Sequence, residues 1–411
     1  MLRMNNAVVL GGTNDHIKLI NLLKELGYFV YLIDYYDMPI AGKYADRHIK
    51  GSTLDREFVL EKCKELNAKL CLALCIDQAL LTMAYVAEQL NLPCHISFKT
   101  ALALTNKVLM KHMFLDHNIP SSKFISIKED NDALYSVDHL NFPVVVKPAD
   151  ANSSKGIEKV IARGTLKKAI DNAFIHSKSK QVVIEEYKEG IELSVDVIIS
   201  DFDPLFILIT ENIKRSDTPE NFTIVKNIFR KELQNRYLSQ IKLIAGNIAK
   251  AYGLRNSPLL IQLLVNNNDI SVIEFSARVG GGSKHYLIQK ITGFDILRYF
   301  LAILRKEQLA IGNSHGYAYA SMNYVYTKQG TFDRFEGDKY LKENKIIEEI
   351  FQYKQTGVEV ISSAASTDRP LGFMIVAETE LGLHEKTREA DNILQIFDEE
   401  GKDIMIHGIY N

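Results

Sequence analysis

The stretch LLIQLLVNNNDISVIEFSARVGGG, residues 259–282, decides how the rest of this sequence can fold. Two apolar runs, 259–265 and 270–276, flank an Asn-Asn-Asn-Asp cluster, which is a strong signal for a β-hairpin. With the turn near Asn268, alternate side chains leave opposite faces of the hairpin. One face is predicted to carry Ile261, Leu263, Val265, Ile273 and Phe275, and the other Leu260, Leu264 and Val272. Because both faces carry apolar residues, we expect both to be covered.

A row of polar side chains shares one face of this predicted hairpin. Gln262 falls opposite Glu274, with Cβ atoms roughly 5 Å apart, and Ser276 and Arg278 follow at a period of two. A buried carboxylate without a partner is costly, and a bound cation is one arrangement that offsets the cost. The alternative is a buried ion pair between Glu274 and Arg278. The glycines at 280–282 indicate a close approach of the backbone to another group, for which an anion is best suited.

Composition places the chain among ordinary globular proteins. Its 411 residues are 46% hydrophobic and 24% charged, and the net charge is −2. This length predicts two to four domains, and this charge provides no overall field for nucleic acid or a membrane surface. No apolar run approaches about 18 residues. The four cysteines (Cys63, Cys71, Cys75 and Cys94) are interpreted as small buried side chains, so we predict a cytosolic, cytoplasmic protein in a reducing compartment.

The first part of the chain alternates strands and helices. A strand at 7–10 leads through Gly11-Gly12-Thr13 into a helix, and a second strand ends at Asp34, which is the outline of a dinucleotide-binding unit. The GxGxxG spacing is missing, because His16 stands in place of the third glycine. The alternation continues to about residue 95 and predicts a parallel α/β domain.

Two later segments carry residues suited to phosphate. Thr105 is predicted to cap a helix with Lys107 in its first turn, where a bound phosphate would offset the unfavourable helix dipole. A β-branched strand at 144–146 ends in Lys147, and the small polar loop 149–156 follows. Backbone N–H groups of such loops can wrap phosphates, although the spacing is not that of a P-loop.

Carboxylates crowd the next segment, residues 181–199, which predicts two strands joined by a tight connection. Glu189 is interpreted as an exposed turn residue, whereas Glu192 lies among apolar residues and is the better candidate for a functional carboxylate. A core-facing helix over 233–252 then leads into the hairpin. The last hundred residues predict a small α+β module without concentrated chemistry, with helices over 338–351 and 381–397.

Taken together, these segments resemble the ATP-grasp superfamily over most of the chain. The resemblance implies α/β and α+β architecture in four parts: an N-terminal α/β domain (1–104), a nucleotide-binding lobe (105–190), a metal-binding lobe (191–310) and a C-terminal α+β module (311–411). The module is similar to that of L-amino acid ligases.

The resemblance also implies roles for single residues. Lys107 and Lys147 correspond to the basic residues that hold the nucleotide phosphates, and Arg278 corresponds to the arginine that steadies the transferred phosphoryl group. The implied metal ligands are Gln262, Glu274 and Ser276. The other implied nucleotide-binding residues are Ser153, Ser154 and Gly156 in the loop, Glu185, Glu186 and Tyr187 at the adenine, and Glu192 at the ribose. Gln262 and Ser276 replace the usual Glu and Asn, so one of two magnesium ions is expected to bind weakly or through water.

The implied activity is that of an ATP- and Mg²⁺-dependent ligase, with Mn²⁺ as a substitute metal. Such an enzyme activates a small-molecule carboxylate as an acyl phosphate and joins it to an amine, here with amino-acid-like substrates, and dimers are common in the family. Ser283, Lys284 and His285 are candidates to face the acceptor. The alternatives are a non-catalytic ATP-binding protein, an enzyme like carbamoyl phosphate synthetase or phosphoribosylglycinamide synthetase, and an NAD-dependent oxidoreductase.

Overall fold

The computed structural model of the protein describes residues 5–128, 136–151, 156–215, 223–307, 316–361 and 366–410. Its first part contains the strands β1 (Asn5–Leu10), β2 (Tyr28–Asp34), β3 (Arg47–Lys50) and β4 (Ala68–Ala73), and the helices α1 (Asp15–Glu25), α2 (Arg56–Glu65) and α3 (Asp77–Leu90). The strands form a parallel sheet in the order β3-β2-β1-β4, as the alternation predicted. The loops that follow the strands therefore meet at one edge of this sheet.

A second, antiparallel sheet follows two short helices. The helices are α4 (Phe98–Leu104) and α5 (Lys107–Asp116), and the sheet contains β5 (Phe124–Lys128), β6 (Val144–Pro148), β7 (Glu158–Val160) and β8 (Gln181–Glu186), with α6 (Arg163–His176) against it. Its order is β5-β8-β6-β7. The predicted cap at Thr105 is wrong by one residue, because the Asn106 side chain accepts from the Val108 and Leu109 amides. Lys107 is thus the first residue of α5.

The third sheet is the largest, and the hairpin predicted over residues 259–276 forms one edge of it. Its strands are β9 (Ile191–Ser200), β10 (Asp203–Lys214), β11 (Ile224–Arg230), β12 (Asn256–Asn266), β13 (Asp269–Ser276), β14 (Tyr319–Val325), β17 (Glu349–Gln352) and β19 (Leu371–Ala377). They pair antiparallel in the order β13-β12-β9-β10-β11-β14-β19-β17. Strands from the last quarter of the chain therefore continue the sheet that the hairpin begins.

Helices and two small strand pairs complete the described fold. The helices are α7 (Lys231–Ala251), α8 (Lys284–Thr292), α9 (Ile296–Arg305), α10 (Asp338–Glu343) and α11 (Glu380–Ile393), and the pairs are β15 (Gly330–Phe332) with β18 (Val358–Val360) and β16 (Arg334–Glu336) with β20 (Gln395–Phe397). The helix predicted over 338–351 is wrong in its second half. Lys345 takes a left-handed φ of +55°, which ends the helical segment before β17.

Two large apolar clusters join the parallel sheet to the eight-stranded sheet. One connects α1 with α8, α9 and the C-terminal strands, and the other connects α3 with β9, β12, β13 and α7. These clusters hold the loop edge of the parallel sheet against the end of the hairpin. Within the described residues, no helix is both long and apolar enough to cross a membrane.

Candidate active site

The hairpin pairs Gln262 with Glu274, as the sequence predicted. The pairing depends on a β-bulge, because β12 and β13 are joined by a two-residue turn at Asn267 and Asn268. An unbroken ladder from that turn would place Gln262 opposite Ile273. The register shifts by one residue between Gln262 and Leu263, and this shift brings the Glu274 carboxylate beside the Gln262 amide.

The bulge also exchanges two side chains between the faces. Val272 pairs with Leu263 and is fully buried in the core, whereas Ile273 has no partner in the ladder and is only half-buried, beside Glu274. The predicted faces of Val272 and Ile273 are therefore wrong. One extra residue shifts the alternation of side chains by one, so each residue points to the face opposite to the predicted one.

A cavity between the hairpin and the second sheet brings most of the predicted site residues together. Eight of them line it: Lys107, Lys147, Glu185, Glu186, Tyr187, Glu192, Gln262 and Glu274. Lys111, Lys188 and Lys214 line the same cavity and were not predicted. Gly156 lies at the end of its loop against His176, and Ser153 and Ser154 lie outside the described residues.

Glu185 holds two buried lysines at one end of this cavity. Its carboxylate forms ion pairs with Lys147 and with Lys111, the latter at 2.6 Å. Burial alone raises the pKa of Glu185, but the two ammonium groups outweigh burial and hold that pKa at about 2. The Glu185 side chain is thus engaged with the lysines, and both ammonium groups are fixed where they line the cavity.

The backbone amides that follow the middle of β8 differ in whether they have an acceptor. The Glu186 amide donates to the Lys123 carbonyl oxygen at 2.9 Å, and the Tyr187 amide donates to the Pro143 carbonyl oxygen at 2.9 Å. The Lys188 amide has no such acceptor among the residues that the structure describes. A planar base with a ring nitrogen acceptor could therefore bind at Lys188.

A chain of hydrogen bonds starts at Glu192 and crosses the large sheet. Lys214 Nζ lies 2.6 Å from Glu192 Oε2, and Asn212 Nδ2 donates to Glu192 Oε1 at 2.8 Å. Asn227 Nδ2 donates to Asn212 Oδ1 at 2.5 Å, and the Tyr324 hydroxyl donates to Asn227 Oδ1 at 2.6 Å. The chain connects the cavity with the last quarter of the sequence, which was predicted to have no concentrated chemistry.

Glu274 and Gln262 present oxygen donors to the cavity. The Glu274 side chain is 38% exposed, and its nearest cation is Lys107, with Nζ at 3.5 Å from Oε2. Carboxylate and amide oxygens are ligands that Mg²⁺ accepts, so this pair fits such an ion. Ser276, the third predicted ligand, is buried and contacts the carboxylate of Asp77. No cluster of three His, Cys, Asp or Glu side chains suited to a metal occurs within the described ranges.

Arg278 connects the end of the hairpin to the parallel sheet. Its Nε and Nη2 donate to Asp77 Oδ1 and Oδ2 at 2.5 and 2.8 Å. The alternative ion pair between Glu274 and Arg278 is therefore not formed. Burial raises the pKa of Asp77, but the Arg278 guanidinium counteracts burial and brings that pKa below its usual value. Sequence reasoning missed Asp77, although an acid shortly after a buried parallel strand, at the start of the next helix, is a recognisable signal.

The glycine triplet approaches anions, as predicted, and these anions are carboxylates of the protein itself. The Gly280 amide donates to Asp196 Oδ1 at 3.2 Å. The Gly282 and Ser283 amides donate to the two oxygens of Asp15, at 3.1 and 2.5 Å. Asp15 begins α1 in the parallel sheet domain, so this contact joins the triplet to that domain.

The residues after the triplet are buried. Lys284 forms an ion pair with Asp196 and donates to Ser194 Oγ at 2.8 Å. His285 is 1% exposed, and burial lowers its pKa to about 4. The prediction that Ser283, Lys284 and His285 face an acceptor is wrong, because the start of α8 packs into the protein.

The first glycine turn is closed by neighbouring side chains. The Gly12 amide donates to Asp34 Oδ2 at 2.7 Å, and a Cβ built on Gly12 would lie 2.4 Å from Pro39 Cβ. A dinucleotide pyrophosphate uses this turn in folds that bind NAD. Asp34 and Pro39 occupy that position here, which disfavours the oxidoreductase alternative.

Comparisons with known proteins identify a domain family over part of the chain. A family model described as the ATP-grasp domain matches residues 140–285. The chain is 23% identical over 216 residues to the large chain of carbamoyl phosphate synthase from Clostridium acetobutylicum, a match that covers 52% of this chain and 20% of that protein. It is 34% identical over 128 residues to a D-alanine–D-alanine ligase from Geobacillus thermodenitrificans, covering 29% of this chain and 35% of that ligase. The matches thus span about a third or less of these relatives.

Among solved structures, the fold is similar to an L-amino acid ligase from Bacillus licheniformis. The TM-score is 0.79 at 20% identity, and the match covers 97% of this chain and 100% of that structure. At this identity the likeness concerns the fold.

Proposed function

The chain belongs to the ATP-grasp superfamily, and we propose that it is an ATP- and Mg²⁺-dependent ligase that joins a carboxylate to an amine. One observation carries this proposal. Two cavity lysines, Lys107 and Lys147, and two oxygen ligands, Gln262 and Glu274, line a single cavity, although they come from four different elements. Cations and metal ligands on one cavity suit a nucleotide triphosphate with its metal ion.

In this proposal the nucleotide lies along the cavity between the second sheet and the hairpin. The phosphates contact Lys107 and Lys147, and Glu185 keeps Lys147 in position. The base accepts from the Lys188 amide, and the ribose hydroxyls donate to Glu192. The loop residues Ser153, Ser154 and Gly156, together with Glu186 and Tyr187, remain proposed nucleotide contacts.

Gln262 and Glu274 would hold the magnesium ion, and Mn²⁺ would fit the same oxygen ligands. When bound, the metal neutralises part of the charge on the phosphates. Ser276 stays a proposed ligand only through water, because its hydroxyl contacts Asp77. The pair of protein ligands is one amide and one carboxylate, which is consistent with one firmly held metal ion.

The proposed chemistry has two steps. A carboxylate oxygen of the substrate attacks the γ-phosphorus, the bond between that phosphorus and the bridging oxygen breaks, and ADP leaves. The amine then attacks the acyl carbon, loses a proton, and inorganic phosphate leaves. Lys147 and Arg278 offset negative charge on the transferred group, and Asp77 positions the Arg278 guanidinium for this role.

The names of the relatives favour amino-acid-like substrates. A D-alanine–D-alanine ligase and an L-amino acid ligase are both similar to this chain. An enzyme like carbamoyl phosphate synthetase or phosphoribosylglycinamide synthetase is the second candidate, and the match to a carbamoyl phosphate synthase chain favours it. The four-part division at residues 104, 190 and 310, and assembly as a homodimer, belong to the same proposal.

A screen for ADP release tests the proposal. The purified protein is incubated with ATP, Mg²⁺ and the twenty L-amino acids and D-alanine as carboxylates, each crossed with the same compounds as amines and with ammonia. We expect ADP release that requires both substrates, and a new amide in the product by mass spectrometry. ATP binding by calorimetry without ADP release across this panel would instead indicate a non-catalytic nucleotide-binding protein.

A further inference from the structure

An arginine without a carboxylate partner lies next to the glycine triplet. Within the described ranges, no carboxylate oxygen lies within 4.0 Å of the Arg369 guanidinium. Three other partly buried arginines, Arg230, Arg278 and Arg305, each form an ion pair with an acid. Because a charge withdrawn from water is costly unless it is paired, Arg369 is the exception that calls for a partner from outside the chain.

Aromatic side chains fix the position of this guanidinium. Its central carbon lies 4.0 Å from the centroid of the Tyr324 ring and 5.2 Å from that of Tyr353. These are cation–π distances, which orient the planar group without neutralising it. Burial raises the pKa of both tyrosines, so neither ionises near neutral pH to balance the arginine. The Tyr326 hydroxyl, a neutral group, is a further hydrogen-bond partner.

The absence of a side chain at Gly282 leaves the space that the Arg369 guanidinium occupies. Gly282 has a φ of +71°, and a Cβ built there would lie 2.9 Å from Arg369 Nη2 and 2.6 Å from the Tyr324 hydroxyl oxygen. The Tyr353 hydroxyl lies 3.2 Å from Ser283 Oγ. Residue 282 therefore needs glycine for its conformation and for the space that Arg369 occupies. The arginine, from the loop before β19, thus lies against the segment that follows Arg278.

The other charges around the triplet are already balanced or solvated by the backbone. Arg278 pairs with Asp77, and Lys284 pairs with Asp196. Asp15 accepts two backbone N–H groups of the triplet. The Asp15 carboxylate acts favourably on the Arg369 guanidinium from beyond ion-pair distance, so part of the arginine charge is already offset. The charge that remains suits a monoanion better than a dianionic phosphate.

We propose that Arg369 binds a carboxylate of one of the two substrates, distinct from the carboxylate that is phosphorylated. The planar guanidinium can donate two parallel hydrogen bonds to such a group. This inference deepens the proposed ligase function and rests on it. It makes Arg369 a specificity residue that selects substrates with a free carboxylate, such as an α-amino acid, over their amides.

Binding measurements on the full chain test this role without requiring turnover. Thermal unfolding midpoints are recorded with ADP and Mg²⁺ and with three kinds of probe: the twenty L-amino acids, their α-carboxamides, and phosphoethanolamine. The variants are Arg369→Gln and Arg369→Lys, with Arg388→Gln, an exposed arginine on α11, as the matched control. Circular dichroism of each free variant establishes that it is folded.

We expect at least one L-amino acid to raise the midpoint of the wild type and of the Arg388→Gln control, while its amide does not. Arg369→Gln should weaken this binding by roughly 10- to 100-fold, as loss of a charged hydrogen bond does. Arg369→Lys should restore part of the affinity, because it keeps the charge but loses the planar fork.

Four results would overturn the inference: amides that bind as well as acids, unchanged binding in Arg369→Gln, Arg369-dependent binding of phosphoethanolamine alone, or no carboxylate that stabilises the wild type. The two proposals fail separately. Arg369-dependent carboxylate binding without ADP release from any substrate pair would support this inference and refute the ligase. ADP release with an unchanged KM in Arg369→Gln would refute only the role of Arg369.

Discussion

Arg278 and Asp77 form an ion pair through two hydrogen bonds. Arg278 lies just after the β12–β13 hairpin, and Asp77 lies 201 residues earlier, at the start of α3. The pair joins the eight-stranded sheet to the edge of the parallel sheet where its loops converge. Both side chains are largely withdrawn from solvent, so each fixes the position of the other. The guanidinium proposed to steady the phosphoryl group is thus held by a residue from a different sheet.

Asp77→Asn should lower kcat by roughly 100-fold, because it removes the charge that positions Arg278. The affinity for ATP, measured by calorimetry, should change by less than about twofold, since Asp77 does not line the cavity proposed to bind the nucleotide. Asp77→Glu should recover part of kcat. Asp55→Asn at the cap of α2 is the matched control and should be neutral, because Asn caps a helix as well as Asp does. An unchanged kcat in Asp77→Asn would contradict the positioning role.

Glu274→Ala should abolish Mg²⁺-dependent ADP release and leave the fold intact. The Glu274–Lys107 pair is partly exposed and 3.5 Å long, so its loss should cost less than about 1 kcal/mol of stability. Gln262→Glu adds a charged oxygen ligand and should lower the Mg²⁺ concentration that gives half-maximal ADP release. Retained turnover in Glu274→Ala, or an unchanged Mg²⁺ requirement in Gln262→Glu, would refute the metal assignment.

Lys147→Ala should weaken ATP binding at least about tenfold, because a charged contact to phosphate is lost. Folding should persist, since Glu185 keeps its ion pair with Lys111 at 2.6 Å. Lys167→Ala, an exposed lysine on α6, serves as the control. Equal ATP affinity of the two variants by isothermal titration would remove the phosphate role of Lys147.

Glu185 should make the protein sensitive to acid. Its folded pKa of about 2 lies below the ordinary value of 4.5, so its stabilising effect is complete above pH 4.5 and is lost as the pH falls toward 2. Glu185→Gln leaves two buried lysines unpaired and should lower the free energy of unfolding at pH 7 by about 3–5 kcal/mol. Urea denaturation between pH 7 and pH 3 measures the difference in the free energy of unfolding between the wild type and Glu185→Gln. If this difference does not become smaller below pH 4.5, the Glu185 carboxylate is not the source of the acid sensitivity.

Lys226→Met should stabilise the protein. Lys226 is 1% exposed under α11, its nearest described partner is the Thr387 hydroxyl at 3.3 Å, and burial lowers its pKa from 10.5 to about 8. The unfolded chain therefore binds the extra proton between pH 8 and 10.5, and wild-type stability should rise with pH across that window. At pH 7 the variant should gain about 3 kcal/mol. A pH-independent difference between the two proteins in chemical denaturation would show that the charge is not the cause.

Local sequence patterns were sufficient for most elements and for the residue types of the candidate site. The alternation in 259–276 and the asparagine cluster predicted the hairpin. A turn placed near Asn268 also predicted the pairing of Gln262 with Glu274, which the structure reaches through the bulge. The strand–helix alternation before residue 95 predicted the parallel sheet. These features depend on neighbours within about ten positions, and hydrophobic periodicity and turn chemistry record such local preferences directly.

Only the tertiary structure decided the partners of the charged groups. The bulge at Ile273, the ion pair of Asp77 with Arg278 and the position of Arg369 depend on contacts between distant segments. A sequence shows which residues carry charge but not which are withdrawn from water together, and burial is what makes pairing obligatory. The sequence by itself therefore determined the hairpin and the polar residues on it. Packing between the sheets determined which cations are paired with carboxylates, which are buried and which one, Arg369, has no carboxylate partner among the described residues.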